Sequence, residues 1–336
     1  MKYSEEIKVT ESYKKEYSDG LERVIHVRQK ECEKKRAKYF KDVFTKQEQL
    51  RSDFKEMLGW PLVGADLNKI PVVISEKLSD EDGYEIYRMQ FEILDGLKLT
   101  GLFFKAQSEK PLVIVQHGGL GTPELVSGVY GNTGNYNDML KRVIKHDVHA
   151  FAPQLLLWNA EEYNVPIDRQ AIDARLKRVG SSITAIEIYG IISILNYFEK
   201  QDFVSNFGMV GLSYGGFYAL YTAAIDTRIK SAISCSFFNK RDMYPWSNWT
   251  WFKSAEKFDD AEIASLVYPR NLCIQIGSRD ELFDYKYGEE SFDKLKEICK
   301  EVGTDWVSFT VFDGVHEFCR EDEPIKKLIS DIKNIR

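Results

Sequence analysis

The 336-residue sequence has no basic block, no CxxC pair and no long uninterrupted apolar run. Each absence closes a class of function. Lys plus Arg number 46 against 52 Asp plus Glu, a formal charge of −6. Nucleic-acid binders draw much of their affinity from phosphate contacts and carry clustered positive charge. Neither nucleic acid nor an anionic membrane surface is therefore expected as a partner. The most apolar stretch, 183–198, contains Glu187 and Asn196 and falls short of the roughly 20 residues that span a bilayer. The N-terminus, MKYSEEIKVTESYKKEY, lacks the apolar segment of a secretory signal. The five cysteines (Cys32, Cys235, Cys273, Cys299, Cys319) are odd in number and lack metal-binding spacing. They lead us to expect reduced thiols, no metal site, no cofactor and a cytoplasmic location.

The composition itself, 43% hydrophobic and 29% charged, is that of an ordinary globular chain, long enough for a large core. Residues 1–60 are charged, with apolar positions at scattered helical spacing, and read as two or three helices stopped by Gly59-Trp60-Pro61. This helical extension is expected to act as a cap, as an oligomer contact joining copies of the chain, or as a packing extension. Sequence leaves the three open. Residues 61–336 read as one domain. Segments 72–77, 84–94 and 97–106, with turns at 81–83 and 95–96, read as antiparallel strands at the start of a sheet. The short apolar run 111–116 fits a strand buried on both faces. Helices at 135–145, 170–200 (with a break near Gly180), 214–224, 287–302 and 324–335 then alternate with strands at 148–156, 207–212, 229–237, 271–276 and 306–312. Such alternation predicts an α/β fold with a mostly parallel, doubly wound sheet.

Gly211-Leu212-Ser213-Tyr214-Gly215-Gly216 lies between an apolar strand and an apolar helix and matches G-x-S-x-G. A sharp reversal there projects Ser213 from the strand's C-terminal end. Gly211 and Gly215 suit the close approach, and the helix N-terminus brings positive dipole to a developing oxyanion. A serine hydroxyl needs a base. Of the five histidines, only His316 follows the last strand; His26 is N-terminal, His146 and His149 flank an upstream strand, and His117 reads as a turn former. The base needs an orienting acid, and Asp280 ends a strand in Gly277-Ser-Arg-Asp280. The order Ser213, Asp280, His316 is that of a hydrolase triad. Asp242 and Asp284 are the competing acids. The turn His117-Gly118-Gly119-Leu120-Gly121 follows the first parallel-type strand and offers an oxyanion amide, Gly119 ahead of Leu120, to pair with the amide of Tyr214.

With HGG at 117–119, GLSYGG at 211–216, GSRD at 277–280 and DGVH at 313–316, residues from about 70 onward resemble the α/β-hydrolase superfamily. Arg51 through Gly59-Trp-Pro and the segment 224–229 are similar to the acetyl xylan esterase and dienelactone-hydrolase-like branch. The resemblance implies a metal-free serine esterase acting on a small-molecule ester through an acyl-enzyme, with a short acyl group or an acetylated carbohydrate as the expected substrate. The chain departs from dienelactone hydrolases proper, whose nucleophile is cysteine. It shares S-Y-G-G with prolyl oligopeptidases, but the segment ahead of residue 72 is too short for their propeller. A serine peptidase of short peptides and a non-catalytic binding protein are the alternative readings. Three of the six tryptophans, Trp246, Trp249 and Trp251, fall in one loop after the 229–237 strand. They are candidates for an acyl or sugar pocket, with a packed lid core or an oligomer contact as the competing roles.

Overall fold

The computed structural model describes residues 3–60, 66, 68–94, 96–156 and 167–334. Among these, nine strands form a single sheet in the order β1-β2-β3-β5-β4-β6-β7-β8-β9. β1 (Val72–Glu81), β2 (Tyr84–Leu94) and β3 (Leu97–Lys105) make an antiparallel meander, which joins β5 (His149–Pro153) antiparallel. β4 (Lys110–Gln116), β6 (Val204–Leu212), β7 (Ile229–Cys235), β8 (Asn271–Gly277) and β9 (Val307–Phe312) continue in parallel from β5. This is the expected architecture, antiparallel at its start and parallel thereafter.

The short apolar strands are buried on both faces, which is why they lack hydrophobic alternation. On β4, Leu112 and Ile114 enter one core layer while Val113 and Val115 enter the other. The first layer is covered by α2 (Gln47–Leu58), α6 (Ile183–Phe198), α7 (Tyr214–Ile225), α8 (Asp260–Ser265) and α9 (Tyr285–Ile298). The second is covered by α3 (Pro123–Ser127), α4 (Met139–Ile144) and α10 (Glu323–Lys333).

Two helices differ from expectation. The 170–200 segment is two helices, α5 (Arg169–Arg178) and α6, meeting at 92°. Gly180 takes a left-handed φ of 83°, and the Ser182 hydroxyl caps α6 by accepting from the Ala185 amide at 3.1 Å. The 135–145 helix starts only at Met139, because Asn137 (φ 49°) and Asp138 (φ 56°) are left-handed and no α-helix passes through them.

The N-terminal helices have different fates. α1 (Ile7–Tyr39) buries no residue and meets the body at its C-terminal end. There Arg36 reaches Ala255 O, Asp259 and Glu262, and Lys35 pairs with Glu256. α2 instead buries Leu50, Phe54 and Leu58 in the first core layer. It ends at Gly59 (φ 98°), where a Cβ would lie 2.6 Å from Ser181 Cα; Pro61 lies outside the described residues. No single helix among the described residues is long and apolar enough to cross a membrane.

Candidate active site

Ser213 stands between β6 and α7 at φ 60° and ψ −121°. A side chain in that region costs about 1–3 kcal/mol and is retained only where its surroundings hold it. Here the Ser213 amide donates to Cys235 O at the end of β7 (2.8 Å), and Ser213 O accepts from the Phe217 amide in the first turn of α7 (2.9 Å). A Cβ on Gly211 would collide with the Gly215 backbone, and one on Gly215 with Gln116 O. At Gly216 it would lie 2.6 Å from Cys235 O. The three glycines thus allow β6, α7 and the neighbouring strand ends to close on the turn.

Asp280 follows the end of β8. Its side chain is fully buried, and Oδ1 accepts from the amides of Leu282 and Phe283, both at 2.9 Å. His316 Nδ1 meets the two carboxylate oxygens at 3.0 and 2.9 Å. An Nδ1–H directed at the carboxylate leaves the imidazole lone pair on Nε2. The loop that carries His316 is anchored on all sides. Its amide donates to Glu281 Oε2 (3.3 Å), its carbonyl accepts from Asn135 Nδ2 (3.0 Å), and the Phe283 ring lies 5.7 Å from the imidazole. The next carbonyl, Glu317 O, accepts from Ser236 Oγ at 3.4 Å and from Cys235 Sγ at 3.5 Å. Ser213 and His316 are thereby tied to the same end of β7. Their side chains are not hydrogen-bonded to each other in this structure; catalytic hydrogen bonds often tighten only around substrate.

The competing acids lie elsewhere. Asp284 caps α9, accepting from the Lys286 amide at 3.0 Å. Asp242 sits in a short 3-10 turn, where burial pushes its carboxyl up. Neither touches His316.

The 117–121 turn packs directly on the elbow: a Cβ on Gly118 would come within 3.2 Å of Ser213 Cβ. Its amides divide into two pairs. Gly118 donates to the Tyr136 hydroxyl (2.8 Å), and Gly121 donates to Gly118 O (3.1 Å). The amides of Gly119 and Leu120, between them, meet no acceptor among the described residues. His117 is wholly buried, with Nδ1 on Gly118 O (2.8 Å) and Nε2 accepting from the Leu155 amide (3.1 Å). Burial pushes its pKa down to about 4, so the ring is a neutral brace of the turn.

Tyr214 begins α7. Its side chain turns inward, the hydroxyl accepting from Asn248 Nδ2 (2.6 Å) and the ring lying 4.5 Å from that of Trp249. Burial pushes the phenol up. Trp249 and Trp251 are core residues, 3% and 6% exposed, so little of either is open to a ligand. Trp246 is half-buried, stacked on Trp249 and 6.3 Å from Phe283, itself the ring against His316.

Sequence reasoning missed Asn135 and Tyr136, which join the 117–121 turn to the loop of His316. It also missed Glu281 and Phe283. The run Gly131-Asn-Thr-Gly134-Asn-Tyr-Asn-Asp138 carried a signal, since turn-forming residues crowd it.

No family model matches the chain. Among curated proteins it is similar to "Putative hydrolase YtaP" of Bacillus subtilis (strain 168), with 28% identity over 253 residues, 69% of this chain and 82% of that protein. Among solved structures it resembles the glucuronoyl esterase from Solibacter usitatus (TM-score 0.60, 15% identity, 83% of this chain and 90% of that one). It also resembles the acetyl xylan esterase from Paenibacillus sp. R4 (TM-score 0.59, 16% identity, 86% and 95%). These likenesses show that the chain has the α/β-hydrolase fold.

Proposed function

We propose that the protein is a serine esterase that cleaves carboxylic esters through an acyl-enzyme. The observation that carries the reading is the His316–Asp280 pair, held at 2.9 and 3.0 Å by a carboxylate already fixed by two amides. It stands at the sheet edge where Ser213 occupies a strained elbow. The esterase names borne by the similar structures support the same reaction class.

In this mechanism Ser213 Oγ attacks the ester carbonyl carbon while His316 Nε2 takes its proton. Asp280 holds the tautomer and stabilises the imidazolium. The carbonyl oxygen, now anionic, receives the amides of Tyr214 and Gly119, at the N-terminus of α7 and in the glycine turn. The tetrahedral carbon then expels the alcohol, which leaves with the proton from His316. Water, deprotonated by His316, attacks the acyl-enzyme, and the acid departs as Ser213 regains its proton. Of the three tryptophans this reading gives a substrate contact to Trp246, since it is half-buried and neighbours Phe283 on the His316 side, while Trp249 and Trp251 belong to the core.

The test is hydrolysis of p-nitrophenyl acetate by wild type and by Ser213→Ala with its folding checked by circular dichroism. Members of such a triad act as a unit, so the variant should lose on the order of 10⁴-fold or more in kcat. A folded variant that keeps most of its kcat would refute the serine mechanism.

A further inference from the structure

A cavity of about 620 Å³ opens beside the end of the 117–121 turn, at the edge where β4 and β5 end and β3 begins. That volume is in the range of small-molecule sites, roughly 300–1,000 Å³. Its walls are apolar: Leu99, Leu155, Ile172, Leu176, Ile183 and Ile186. Ile172 and Leu176 stand one turn apart on α5, and Ile183 and Ile186 one turn apart on α6. The 92° bend between those helices frames the space.

Among its polar lining residues Lys98 is exposed and Thr100 half-buried, whereas Glu187, Gln154 and Thr122 are already committed to the protein. Glu187 faces the cavity, but Oε1 accepts from the Leu156 amide (3.0 Å) and Arg169 Nη1 (3.0 Å). Oε2 accepts from Arg169 Nη2 (2.8 Å) and the Tyr218 hydroxyl. Gln154 Nε2 donates to Leu155 O (2.8 Å), and Thr122 Oγ1 accepts from the Leu125 amide (3.1 Å). A sugar placed against the aliphatic walls would lose its hydrogen bonds to water with only Lys98 and Thr100 at hand to replace them, whereas an apolar group loses nothing.

The cavity is continuous with the catalytic turn. Gly121 and Thr122 line it, and they continue the turn whose Gly118 packs on Ser213. Leu155, another wall residue, donates its amide to His117 in that turn. Its flank is also informative. It lies on the β5 side of β4, whereas Asp280 and His316 follow β8 and β9, on the opposite side of β6. The departing alcohol must take its proton from His316 and so faces that side. The acyl group is left to the other.

We infer that this cavity is the acyl pocket and that the preferred substrates carry an apolar acyl group, alkyl or aryl, larger than acetyl. The inference rests on the serine-esterase reading above and goes beyond it by naming the acyl class.

The experiment is kcat/KM for p-nitrophenyl acetate, butyrate, hexanoate and octanoate, with octyl acetate as a control for length on the alcohol side. Each buried methylene is worth about fourfold. The value should therefore rise about fourfold per methylene over the first few carbons of the acyl chain, and octyl acetate should not share the gain. Leu176→Trp and Ile172→Phe, at half-buried positions of α5, should each lower the octanoate-to-acetate ratio at least tenfold. Turnover of acetate with no gain from longer acyl chains would overturn the acyl pocket while leaving the esterase reading intact. So would a gain seen only with octyl acetate, or filling variants that leave the ratio unchanged. Failure of every ester, with Ser213 inert to a fluorophosphonate, would instead remove the reading beneath it.

Discussion

Asp280 differs from the acidic residues around it in what its carboxylate accepts: two amides and an imidazole, with the side chain fully buried. Asp284 does no more than cap a helix. Asp280→Asn keeps the shape but offers an amide to His316 and favours the wrong tautomer. It should lower kcat roughly 10⁴-fold, whereas Asp284→Asn and Asp242→Asn should stay within tenfold of wild type. Steady-state kinetics of the three variants decides this; a crippling Asp242→Asn would move the acid to the loop after β7. The Asp280–His316 contact was legible because parallel strands put all their C-terminal ends on one edge, so chain order and strand-end position point to it. Asn135 was not. Its partner, the His316 carbonyl, lies 181 residues away, and no local pattern marks a contact of that kind.

α1 and α2 show where periodicity stops informing. Both carry apolar residues at helical spacing on a charged background. Tyr17, Leu21 and Val24 on α1 are nevertheless 72%, 46% and 58% exposed, whereas Leu50, Phe54 and Leu58 on α2 are all at 2% or less. The difference is the presence of a partner surface. α2 lies over α7 and α8, with the Phe54 ring 5.2 Å from Tyr221 and from Phe258. The Arg51 guanidinium seals the seam by donating to Ala224 O (3.2 Å) and Leu266 O (2.8 Å). Phe54→Ala should therefore destabilise the protein by about 3–5 kcal/mol, and Tyr17→Ser by no more than about 0.5 kcal/mol. Urea unfolding of both variants checks this. Equal effects would place α1 and α2 in the same structural class. The break at Gly180 was visible as a glycine, but the bend it makes was not, because its direction is set by packing on the sheet.

At the scale of the whole molecule, the sheet edge gathers the turn after β4, the Ser213 elbow after β6, Asp280 after β8 and His316 after β9. The neutral His117 brace makes the stability of that edge depend on pH. Its folded pKa of about 4 is below the ordinary 6.5, so the unfolded chain binds the proton first. Its contribution is complete above about pH 6.5 and is lost as the pH falls from there through 4. The shift corresponds to on the order of 3 kcal/mol. Unfolding free energies measured across this window should decline for wild type and decline less for His117→Gln; parallel curves would show that the ring is protonated in the fold. The apolar cavity wall was the least legible feature, since it depends on how α5 and α6 meet. The central claim, an activated serine at 213, is tested most directly by intact-protein and peptide mass spectrometry after reaction with a fluorophosphonate. The account predicts one adduct, on the peptide containing Ser213, whose formation slows at least a thousandfold in His316→Gln. An adduct on another residue, or one formed equally fast without His316, would contradict it.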